Sequence, residues 1–556
     1  MKIKYPKTRK SLKTLVNSYG LYWGMLIVII IAFLGGMLFY RAGYAERITS
    51  FLRGTWRPET PKMLTEAANE VTAELENELQ LYQANGLATV FLDIPFDAML
   101  QIETKRDEAL AIGVLYASDD DFVSATMRYN DEQTLNIKLR LKGDWVDHLA
   151  GDKWSFRVHV TENDGAVLGM RRFSLQGPQT RTFMSDWGFH QTLFREGILA
   201  TRYHFVNVII NGEHKGVYAL EESFSEDLLE SQERREGIIL RFNEDLLWYD
   251  WGNFINTNTD LGRFWLVDNP ANSEITPFRG TRVDGNETLS EEFQAAEALL
   301  SSLQQGLLSA DQVLDEELWG RYFAITDLWG GGHGTAWHND RFYFNPVTSL
   351  LEPVAFDAYV FHPSFSRDQL AFPFYASRLF ESPGVQKAYV ETLERILAPG
   401  YLEALRAEIG PELEGYYKLL LDEYADDPNL QLPWETLETR RDLLARNLNP
   451  EQPIRGYYHL VEQNGETFLQ LDLINLMVLP VQIHELVLGD EILTIEAGWC
   501  LLDTCTSKVI VTPEAEILLE SSNTNYAVPA SFSIPASRLT TGIPAEGEIL
   551  TLQTNL

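Results

Sequence analysis

A short segment in the first third of the chain concentrates positively charged side chains that could bind phosphate. Within residues 140–157 the sequence places Arg140, Lys142, Lys153 and Arg157. Guanidinium and ammonium groups supply the charge and the hydrogen-bond donors that neutralise phosphate oxygens, so the cluster predicts a phosphate-bearing ligand. The alternative is a hairpin whose outer face is hydrated and salt-bridged.

Two polar residues further along the chain have side chains that suit a metal ion. Asn339 precedes an aromatic segment, and Asp357 follows the apolar run that ends at Phe356. Their oxygens are hard ligands of the kind that Mg²⁺ prefers when it bridges phosphate groups. The chain between them is long enough for a two-stranded hairpin, which would bring both residues to one end. The alternative is that both residues form turns.

A further acidic residue ends a predicted strand. Glu222 lies an even number of residues from Tyr218 and Leu220, so the three side chains are predicted to share one face. A Glu at the end of such a strand suits an ion pair with a Lys that binds the ligand. The alternative is a hairpin that ends in an acidic helix cap.

The charge balance excludes nucleic acid as a partner. The chain of 556 residues has 45 Lys and Arg against 80 Asp and Glu, a formal net charge of −35. So acidic a protein repels nucleic-acid backbones. The sequence also lacks the GxxxxGK[ST], GxGxxG, HExxH and GxSxG patterns, which disfavours P-loop enzymes, zincins and α/β-hydrolases.

The central part of the chain changes from strand patterns to helical patterns. Alternating apolar and polar residues predict strands over 135–142 and 154–160, and Asn211-Gly212 predicts a β-hairpin turn between two apolar runs. Further along, residues 246–290 are rich in Asn, Gly, Asp and Thr and are predicted as a long loop.

Helical periodicity dominates residues 290–330 and 366–447. A block that begins with strands and ends with helices predicts an α+β domain of two lobes.

The C-terminal part is predicted as a small β-sandwich. Asn449-Pro450 marks a boundary, and short strands separated by turns follow it between residues 457 and 519. Cys500 and Cys505 lie close together in this part. In an oxidising compartment they are predicted to form a disulfide, whereas in the cytosol they would be two thiols.

The N-terminal part is predicted to anchor the protein in a membrane. Residues 21–40 contain no charged side chain and are long enough to span a bilayer as a helix. The basic residues before this segment predict a cytoplasmic N-terminus, which puts the main body on the extracytoplasmic side. The alternative is a cleaved signal peptide. A helix predicted at 62–83 forms either a juxtamembrane stalk or a packed element of the main domain.

Five blocks of the sequence resemble the spore-coat protein H (CotH) kinase-like family and follow its order. They are RLKGDWVDHLAGDKWSFRV at 140–158, FSLQGPQTR at 173–181, INGEHKGVYALEE at 210–222, RREGIILRF at 234–242 and WHNDRFYFNPVTSLLEPVAFD at 337–357. The resemblance extends over about residues 90–400. It implies an atypical protein-kinase-like fold of two lobes that binds ATP with Mg²⁺ and transfers phosphate to protein hydroxyls.

The resemblance also implies roles for individual residues. Asp357 corresponds to the family's metal-binding aspartate, Asn339 to the Asn before the aromatic strand, and Glu222 to the Glu that ends a strand. The sequence departs from the family at Tyr359, which replaces the second Asp of the PWDxD-like segment. It departs again at Arg241, where a Lys is common, and no acidic residue stands a few positions before Asn339.

Two functions are therefore expected from the sequence. In the first, Mg²⁺ held by Asp357 and Asn339 orients the phosphates of ATP, and the basic cluster neutralises them. His338, Asp340 or His333 then positions the hydroxyl of a protein or of an envelope polymer. The alternative is a pseudokinase-like binding or assembly factor of the cell envelope that transfers no phosphate.

The expected organisation has five parts. They are a basic cytoplasmic tail at 1–20, a transmembrane helix at 21–40, a linker and juxtamembrane helix at 41–86, a CotH kinase-like domain at 87–448 and a β-sandwich at 449–556.

Overall fold

The computed structural model describes most of the chain after residue 85. The described residues are 86–130, 133–161, 165–257, 273–362, 379–380, 382–451, 453–477, 479, 481–488, 491–493, 509–511, 517–519, 530–538 and 550–555. The predicted segments at 21–40 and 62–83 and the pair Cys500 and Cys505 lie outside them and stay predictions. No helix among the described residues is long and apolar enough to cross a membrane.

Twelve strands precede residue 360 in the described part of the chain. In chain order the strands are β1 (Thr89–Asp93), β2 (Val123–Tyr129), β3 (Gln133–Leu141), β4 (Phe156–Val160), β5 (Arg172–Gln176), β6 (Leu199–Ala200), β7 (Tyr203–Ile210), β8 (Glu213–Glu222), β9 (Ile239–Phe242), β10 (Ile275–Pro277), β11 (Arg341–Asn345) and β12 (Leu350–Ala355).

Seven of these strands close into a barrel in the order β1-β2-β3-β4-β5-β8-β7. Neighbouring strands are antiparallel except β1 and β7, which are parallel. Leu135, Ile137 and Leu139 of β3 are buried in the barrel core. Because successive side chains of a strand point to opposite faces, Lys138 and Arg140 lie on the outer face of the barrel. The barrel thus keeps its apolar residues inside and presents charged residues outside.

The turn between β7 and β8 confirms the predicted hairpin. Asn211 and Gly212 have φ values of 52° and 82°, in the left-handed region that a two-residue hairpin turn requires. The hairpin matters because β8 delivers an acidic residue to the cavity described below.

Most of the helices pack with a second sheet and form a second hydrophobic core with it, whereas the first helix packs on the barrel core. The helices are α1 (Phe96–Ile112), α2 (Met184–Arg195), α3 (Glu226–Ser231), α4 (Asp245–Thr257), α5 (Gly280–Asp284), α6 (Glu287–Gln304), α7 (Glu316–Leu328), α8 (Pro383–Leu397), α9 (Tyr401–Tyr424) and α10 (Trp434–Leu448).

The second sheet has the strand order β10-β9-β11-β12-β6. Its antiparallel pair β11 and β12 packs on α7 through Trp319. The indole of Trp319 donates a hydrogen bond to the carbonyl of Leu351 at 3.0 Å, and its ring centroid lies 5.3 Å from that of Phe342. The helical core therefore fixes the position of the hairpin whose open end carries Asn339 and Asp357.

Short strands follow the helices, as the sequence predicts. They are β13 (Ile454–Gln463), β14 (Glu466–Asn475), β15 (Val481–Leu488), β16 (Glu491–Leu493), β17 (Val509–Val511), β18 (Ile517–Leu519), β19 (Ala530–Pro535) and β20 (Leu550–Asn555). One sheet has the order β13-β14-β19; the other has the order β16-β15-β18-β17, with β20 also paired to β15. The packing of these sheets as a sandwich stays a prediction.

The mixed α+β class is confirmed, but the predicted loop over residues 246–290 is wrong at 246–257, 280–284 and 287–290, where the described residues form helices. Helix α4 occupies its first part and begins where the Asn243 side chain accepts a hydrogen bond from the Asp245 amide at 2.8 Å. Trp248 and Trp251 of this helix pack edge-on against Trp145, with ring centroids 5.3 and 5.1 Å away. Polar composition suggested a loop, whereas the spacing of the aromatic residues stabilises a helix.

Candidate functional site

A cavity of about 1370 Å³ lies against the outer face of the barrel. Strands β3, β4 and β5 supply one wall, and β9, α4 and the segments around residues 277–286 and 333–359 supply the rest. Among the described residues that line it, ten are Lys or Arg and six are Asp or Glu. The whole chain has the opposite balance, 45 against 80. The residues that line the cavity therefore carry a net positive charge although the whole chain is acidic, and this favours an anionic ligand.

A buried ion pair joins Lys142 to Glu221 at this cavity. The ammonium nitrogen lies 2.6 Å from Glu221 Oε2, and the two side chains are 6% and 2% exposed. Lys142 also donates a hydrogen bond to Gln176 Oε1. Burial opposes ionisation of Glu221, but Lys142 and Arg181 outweigh it and lower the pKa of this carboxyl. Since an ammonium group has three donors, one donor of Lys142 remains for a ligand.

The partner of Lys142 is Glu221 and not Glu222, which the sequence analysis assigned to this role. Glu222 shares the face of β8 that holds Tyr218 and Leu220, and that face points into the barrel core. Its carboxylate pairs with the guanidinium of Arg202 at 2.5 Å. The predicted face of Glu222 was right, but the cavity lies on the opposite face of the strand.

The turn after Lys142 depends on glycine. Gly143 has a φ of 107°, which side chains with a Cβ rarely adopt, and a Cβ there would lie 2.5 Å from His148 Cδ2. His148 is itself held by a contact of 2.9 Å between its Nδ1 and Ser155 Oγ. The sequence thus allows the backbone to turn sharply between Lys142 and Asp144, and both of those residues line the cavity.

A second ionic contact at the cavity joins Arg181 to Asp357. Arg181 Nε lies 3.1 Å from Asp357 Oδ1, and His333 Nδ1 donates to the backbone carbonyl of Asp357 at 2.8 Å. Burial opposes ionisation of the Asp357 carboxyl, but Arg181 and His333 outweigh it and hold its pKa well below the usual range. In turn, burial lowers the pKa of His333, but Asp357 more than compensates and raises it above the usual value. Asp357 is therefore fully ionised near neutral pH.

The hairpin brings Asn339 and Asp357 together, as the sequence predicts. Asn339 precedes β11, Asp357 follows β12, and both contact His333. The Asn339 side chain donates a hydrogen bond from Nδ2 to the His333 carbonyl at 3.0 Å. Its amide oxygen accepts no hydrogen bond within the described part of the chain. That oxygen and the Asp357 carboxylate are hard ligands that face the cavity near His333.

The other residues predicted around the acceptor hydroxyl differ in their positions. His333 and His338 line the cavity, and burial lowers the pKa of His338 to about 3, so its imidazole is neutral at pH 7. Asp340 is not among the cavity-lining residues of the described chain. Both of its carboxylate oxygens are buried without a hydrogen-bond partner there, and burial raises its pKa well above the usual value. The structure therefore gives no support to Asp340 at the reacting hydroxyl.

The predicted basic cluster is divided by the structure. Arg140, Lys142 and Arg157 line the cavity. Lys153 instead contacts helix α9, where it pairs with Glu423 and donates to the Tyr424 hydroxyl at 3.0 Å. The loop that contains Lys153 leaves the cavity wall before β4 begins, so Lys153 holds the barrel to α9 and does not line the described cavity.

Asp144 is a candidate that the sequence analysis did not single out. Its carboxylate is accessible within the cavity, yet protein atoms surround it, and this desolvation together with Glu244 raises its pKa to about 7. Asp147 also lines the cavity, and burial raises its pKa as well. A carboxyl that titrates near neutral pH can accept and release a proton under physiological conditions.

Residues 139–284 match the protein-family model described as CotH kinase protein. The predicted resemblance is confirmed over this segment. The CotH-like segment contains Lys142, Arg181 and Glu221 and ends before Asn339 and Asp357. No curated protein matches the chain.

The donor set near Asp357 suits a metal ion only in company with a substrate. Among the described residues, no group of three or more His, Cys, Asp or Glu side chains converges to hold a metal. Mg²⁺ in phosphate-transferring proteins is bound by one or two carboxylates together with the phosphates of the substrate. Asp357 and the Asn339 amide oxygen meet that smaller requirement, although Arg181 already engages one carboxylate oxygen.

Proposed function

We propose that this protein is a CotH-like atypical kinase that binds Mg-ATP and transfers phosphate to a hydroxyl of a protein or an envelope polymer. The observation that carries the proposal is one cationic cavity lined by Lys142, which Glu221 holds in an ion pair, and by the ionised Asp357. A Lys held by a Glu and an Asp that binds Mg²⁺ are the parts that protein kinases use to align phosphates. The family match over 139–284 supports the same class of activity.

The residues have distinct roles in this proposal. Lys142, held by Glu221 and Gln176, directs its remaining donor at a phosphate oxygen. Asp357 and Asn339 would hold Mg²⁺, which neutralises charge on the phosphates of the nucleotide. Arg181 fixes the Asp357 carboxylate and keeps it ionised. These residues align the reacting groups and stabilise charge. The two effects account for most of the catalysis in phosphoryl transfer.

Asp144 is assigned to the acceptor. It lines the same cavity and its pKa of about 7 is close to the working pH. A base with such a pKa combines a substantial ionised fraction with adequate proton affinity. Asp144 therefore accepts the proton that leaves the hydroxyl, and the neutral His338 lies on the same cavity wall as His333 and contributes to the orientation of the acceptor.

The same proposal places the activity outside the cytoplasm. Its support is the sequence alone: the uncharged run at 21–40 follows a basic N-terminal segment. The protein is then tethered to the cell membrane by one helix, and its acceptor is a component of the cell envelope.

A binding or assembly factor without phosphoryl transfer is the second candidate. Its support is that no group of three or more potential metal ligands converges among the described residues, and that Tyr359 stands in place of the family's second Asp. Without that second Asp, the nucleotide is held but Mg²⁺ is bound less firmly than in an active kinase.

Calorimetry of the full chain with ATP, in the presence of Mg²⁺ or of EDTA, tests nucleotide binding. Mass spectrometry of the protein and of an envelope fraction after incubation with Mg-ATP then tests transfer. The kinase proposal expects Mg²⁺-dependent binding and a new phosphate ester. Binding without an ester supports the binding factor, and the absence of binding contradicts both.

A further inference from the structure

The wall formed by β3, β4 and β5 carries three arginines that have no carboxylate within ion-pair distance among the described residues, although more distant carboxylates such as Asp119 and Asp144 favour their charge. We call Arg140, Arg157 and Arg172 the outer arginine cluster. All three line the cavity, and within the described residues none forms an ion pair. This is unusual in a chain with 45 basic and 80 acidic residues, where acidic partners are abundant. The other cavity arginines at 181, 241, 279, 282 and 341 all have acidic partners.

Strand register explains why the three guanidiniums are neighbours. Arg140 of β3 lies directly opposite Arg157 of β4, and His159 of β4 lies directly opposite Arg172 of β5. Side chains opposite each other on adjacent strands have Cβ atoms about 4.5–5.5 Å apart, and like charges placed so destabilise a sheet. The fold therefore maintains a repulsive arrangement on this wall.

The hydrogen bonds of the cluster leave donors unused. The Nε atoms of Arg140 and Arg157 are buried without a partner among the described residues. Arg140 donates to the carbonyl of Leu141 at 2.9 Å, and Arg172 contacts only the imidazole of His159, at 3.2 and 3.3 Å. A buried donor without a partner destabilises the protein, and an anionic ligand would satisfy it.

The electrostatics of His159 confirm how closely the positive charges converge. Burial, followed by Arg172, Arg157, Arg140 and Arg279, lowers the pKa of His159 to about 2. Burial and the neighbouring Arg157 likewise lower the pKa of Arg140 to about 10. The region is thus strongly electropositive in the absence of a ligand.

The number of guanidiniums indicates the kind of anion. One carboxylate has two oxygens and is matched by one guanidinium fork, whereas a phosphate group has more acceptor oxygens and a larger charge. Three adjacent forks therefore match one or two phosphate groups better than they match a carboxylate.

The cluster extends well away from the part of the cavity that contains Lys142. Gln176, which accepts a hydrogen bond from Lys142, lies four residues along β5 from Arg172. At about 3.3 Å per residue this is roughly 13 Å. Arg140 lies only two residues from Lys142, so a nucleotide held at Lys142 and Asp357 leaves the Arg172 end of the outer arginine cluster available for a second anion.

We propose that the outer arginine cluster binds a phosphate-bearing acceptor, so that the substrate of this protein already carries one or more phosphate groups. The assignment of the anion to the acceptor rests on the proposed kinase function. The existence of the anion site does not, because it depends only on the cluster itself.

Calorimetric titration of the full chain with inorganic pyrophosphate tests the site. Arg157→Gln and Arg172→Gln each remove a charged donor and should weaken binding about tenfold or more, and the double variant about a hundredfold. Arg128→Gln is the matched control, since Arg128 is also a barrel arginine but does not line the cavity. Equal affinity in the double variant and the wild type would overturn the site, as would the absence of pyrophosphate binding by the wild type.

Competition identifies which molecule supplies the phosphate. Pyrophosphate affinity that is unchanged by saturating Mg-ATP supports a second anion, whereas mutual displacement shows that the cluster holds the phosphates of the nucleotide and overturns the acceptor assignment. Pyrophosphate binding without any Mg-ATP binding contradicts the kinase proposal alone. Mg-ATP binding without a pyrophosphate site contradicts only the inference made here.

The melting temperature without ligand provides a readout that separates a ligand site from a structural role. Arg157→Gln removes like-charge repulsion and should leave the melting temperature unchanged or raise it, as expected of a site whose residues are retained for binding. A clear decrease would show that Arg157 stabilises the fold and would overturn the argument from repulsion.

Discussion

Lys142 and Glu221 are 79 residues apart in the sequence but lie 2.6 Å apart in the fold. Lys142 directly follows β3, Glu221 lies on β8, and β4 and β5 separate the two strands in the barrel. The long Lys side chain crosses the outer face of these strands and meets Gln176 on the way. Closure of the barrel therefore creates the charged pair, and the pair in turn places an ammonium group at the cavity.

Removal of Lys142 should affect both stability and ligand binding, and a double variant can separate the two effects. Lys142→Met leaves Glu221 buried without its ion-pair partner and should lower the free energy of unfolding by about 3–5 kcal/mol. Adding Glu221→Gln removes that charge and should restore most of the stability. Mg-ATP should raise the melting temperature of the wild type but not of the double variant.

Lys153→Met is the matched control for this experiment. It also breaks an ion pair of the barrel, but the pair with Glu423 lies outside the cavity and is more exposed. This variant should lose about 1 kcal/mol or less and retain the stabilisation by Mg-ATP. A double variant at Lys142 and Glu221 that still responds to Mg-ATP would show that the buried pair is structural only.

Asp357→Asn should destabilise the protein because Arg181 would lose its ionic partner. Breaking a buried pair costs about 3–5 kcal/mol, which denaturant unfolding at pH 7 can measure. The pKa of Asp357 is lowered by folding, so the pair contributes at every pH above the unfolded value of about 3.9 and is lost only as the pH falls below it. Asp357 also raises the pKa of His333, so the difference between variant and wild type should be largest near pH 6 and become smaller as the pH rises and His333 loses its proton.

Asp147→Asn serves as the comparison for Asp357. Its carboxylate lines the same cavity but accepts only a local hydrogen bond from the His148 amide at 2.9 Å, and it has no ionic partner among the described residues. The expected loss is no more than about 1.5 kcal/mol. Equal losses for the two variants would contradict the assigned strength of the Arg181–Asp357 contact.

Asp144 should give the phosphoryl transfer reaction a specific pH dependence. A base must be ionised to accept a proton, so the rate should rise as the pH increases through about 7 and then level off. Asp144→Asn should lower the rate by about 10²–10⁴-fold and remove this rise. A variant that loses activity but keeps the same pH profile would show that another group accepts the proton.

The same shift has the opposite consequence for stability. Because folding raises the pKa of Asp144, the native state binds its proton more tightly than the unfolded state does. The contribution of this group to stability is therefore present below about pH 4 and is lost as the pH rises to about 7. Asp144→Asn should remove that loss, so the variant should gain stability relative to the wild type as the pH rises from 4 to 8.

Local patterns in the sequence predicted the parts of the site that lie close along the chain. The alternation in β3 placed Arg140 and Lys142 on one face, and the hairpin of β11 and β12 brought Asn339 to Asp357. In each case a rule of strand geometry connects residues on one strand or on two consecutive strands. Such rules do not depend on how distant segments pack.

Contacts between distant segments could not be predicted in this way. Nothing in the spacing of Arg181 and Asp357 indicates that the two would pair, since the second sheet must first pack beside the barrel. Likewise, the even spacing of Glu222 from Tyr218 and Leu220 gave the correct face for Glu222. It could not show which face of β8 would lie towards the cavity. Closure of the barrel determines which face of β8 lies towards Lys142, and Glu221 is on that face.

Gly143→Ala tests whether the turn after Lys142 positions the ammonium group. The added Cβ would lie 2.5 Å from His148, and the backbone there has a φ of 107° that Ala rarely adopts.

Gly151→Ala is the matched control, since Gly151 also has a positive φ, of 63°, but no atom lies within 4 Å of a Cβ added there. The control should cost about 1–2 kcal/mol from backbone conformation alone. Gly143→Ala should cost more, because His148 must move, and it should also reduce the stabilisation by Mg-ATP, which Gly151→Ala should preserve. If both variants retain the full response to Mg-ATP, the turn at Gly143 serves only the fold, and Lys142 is positioned by Glu221 and Gln176 alone.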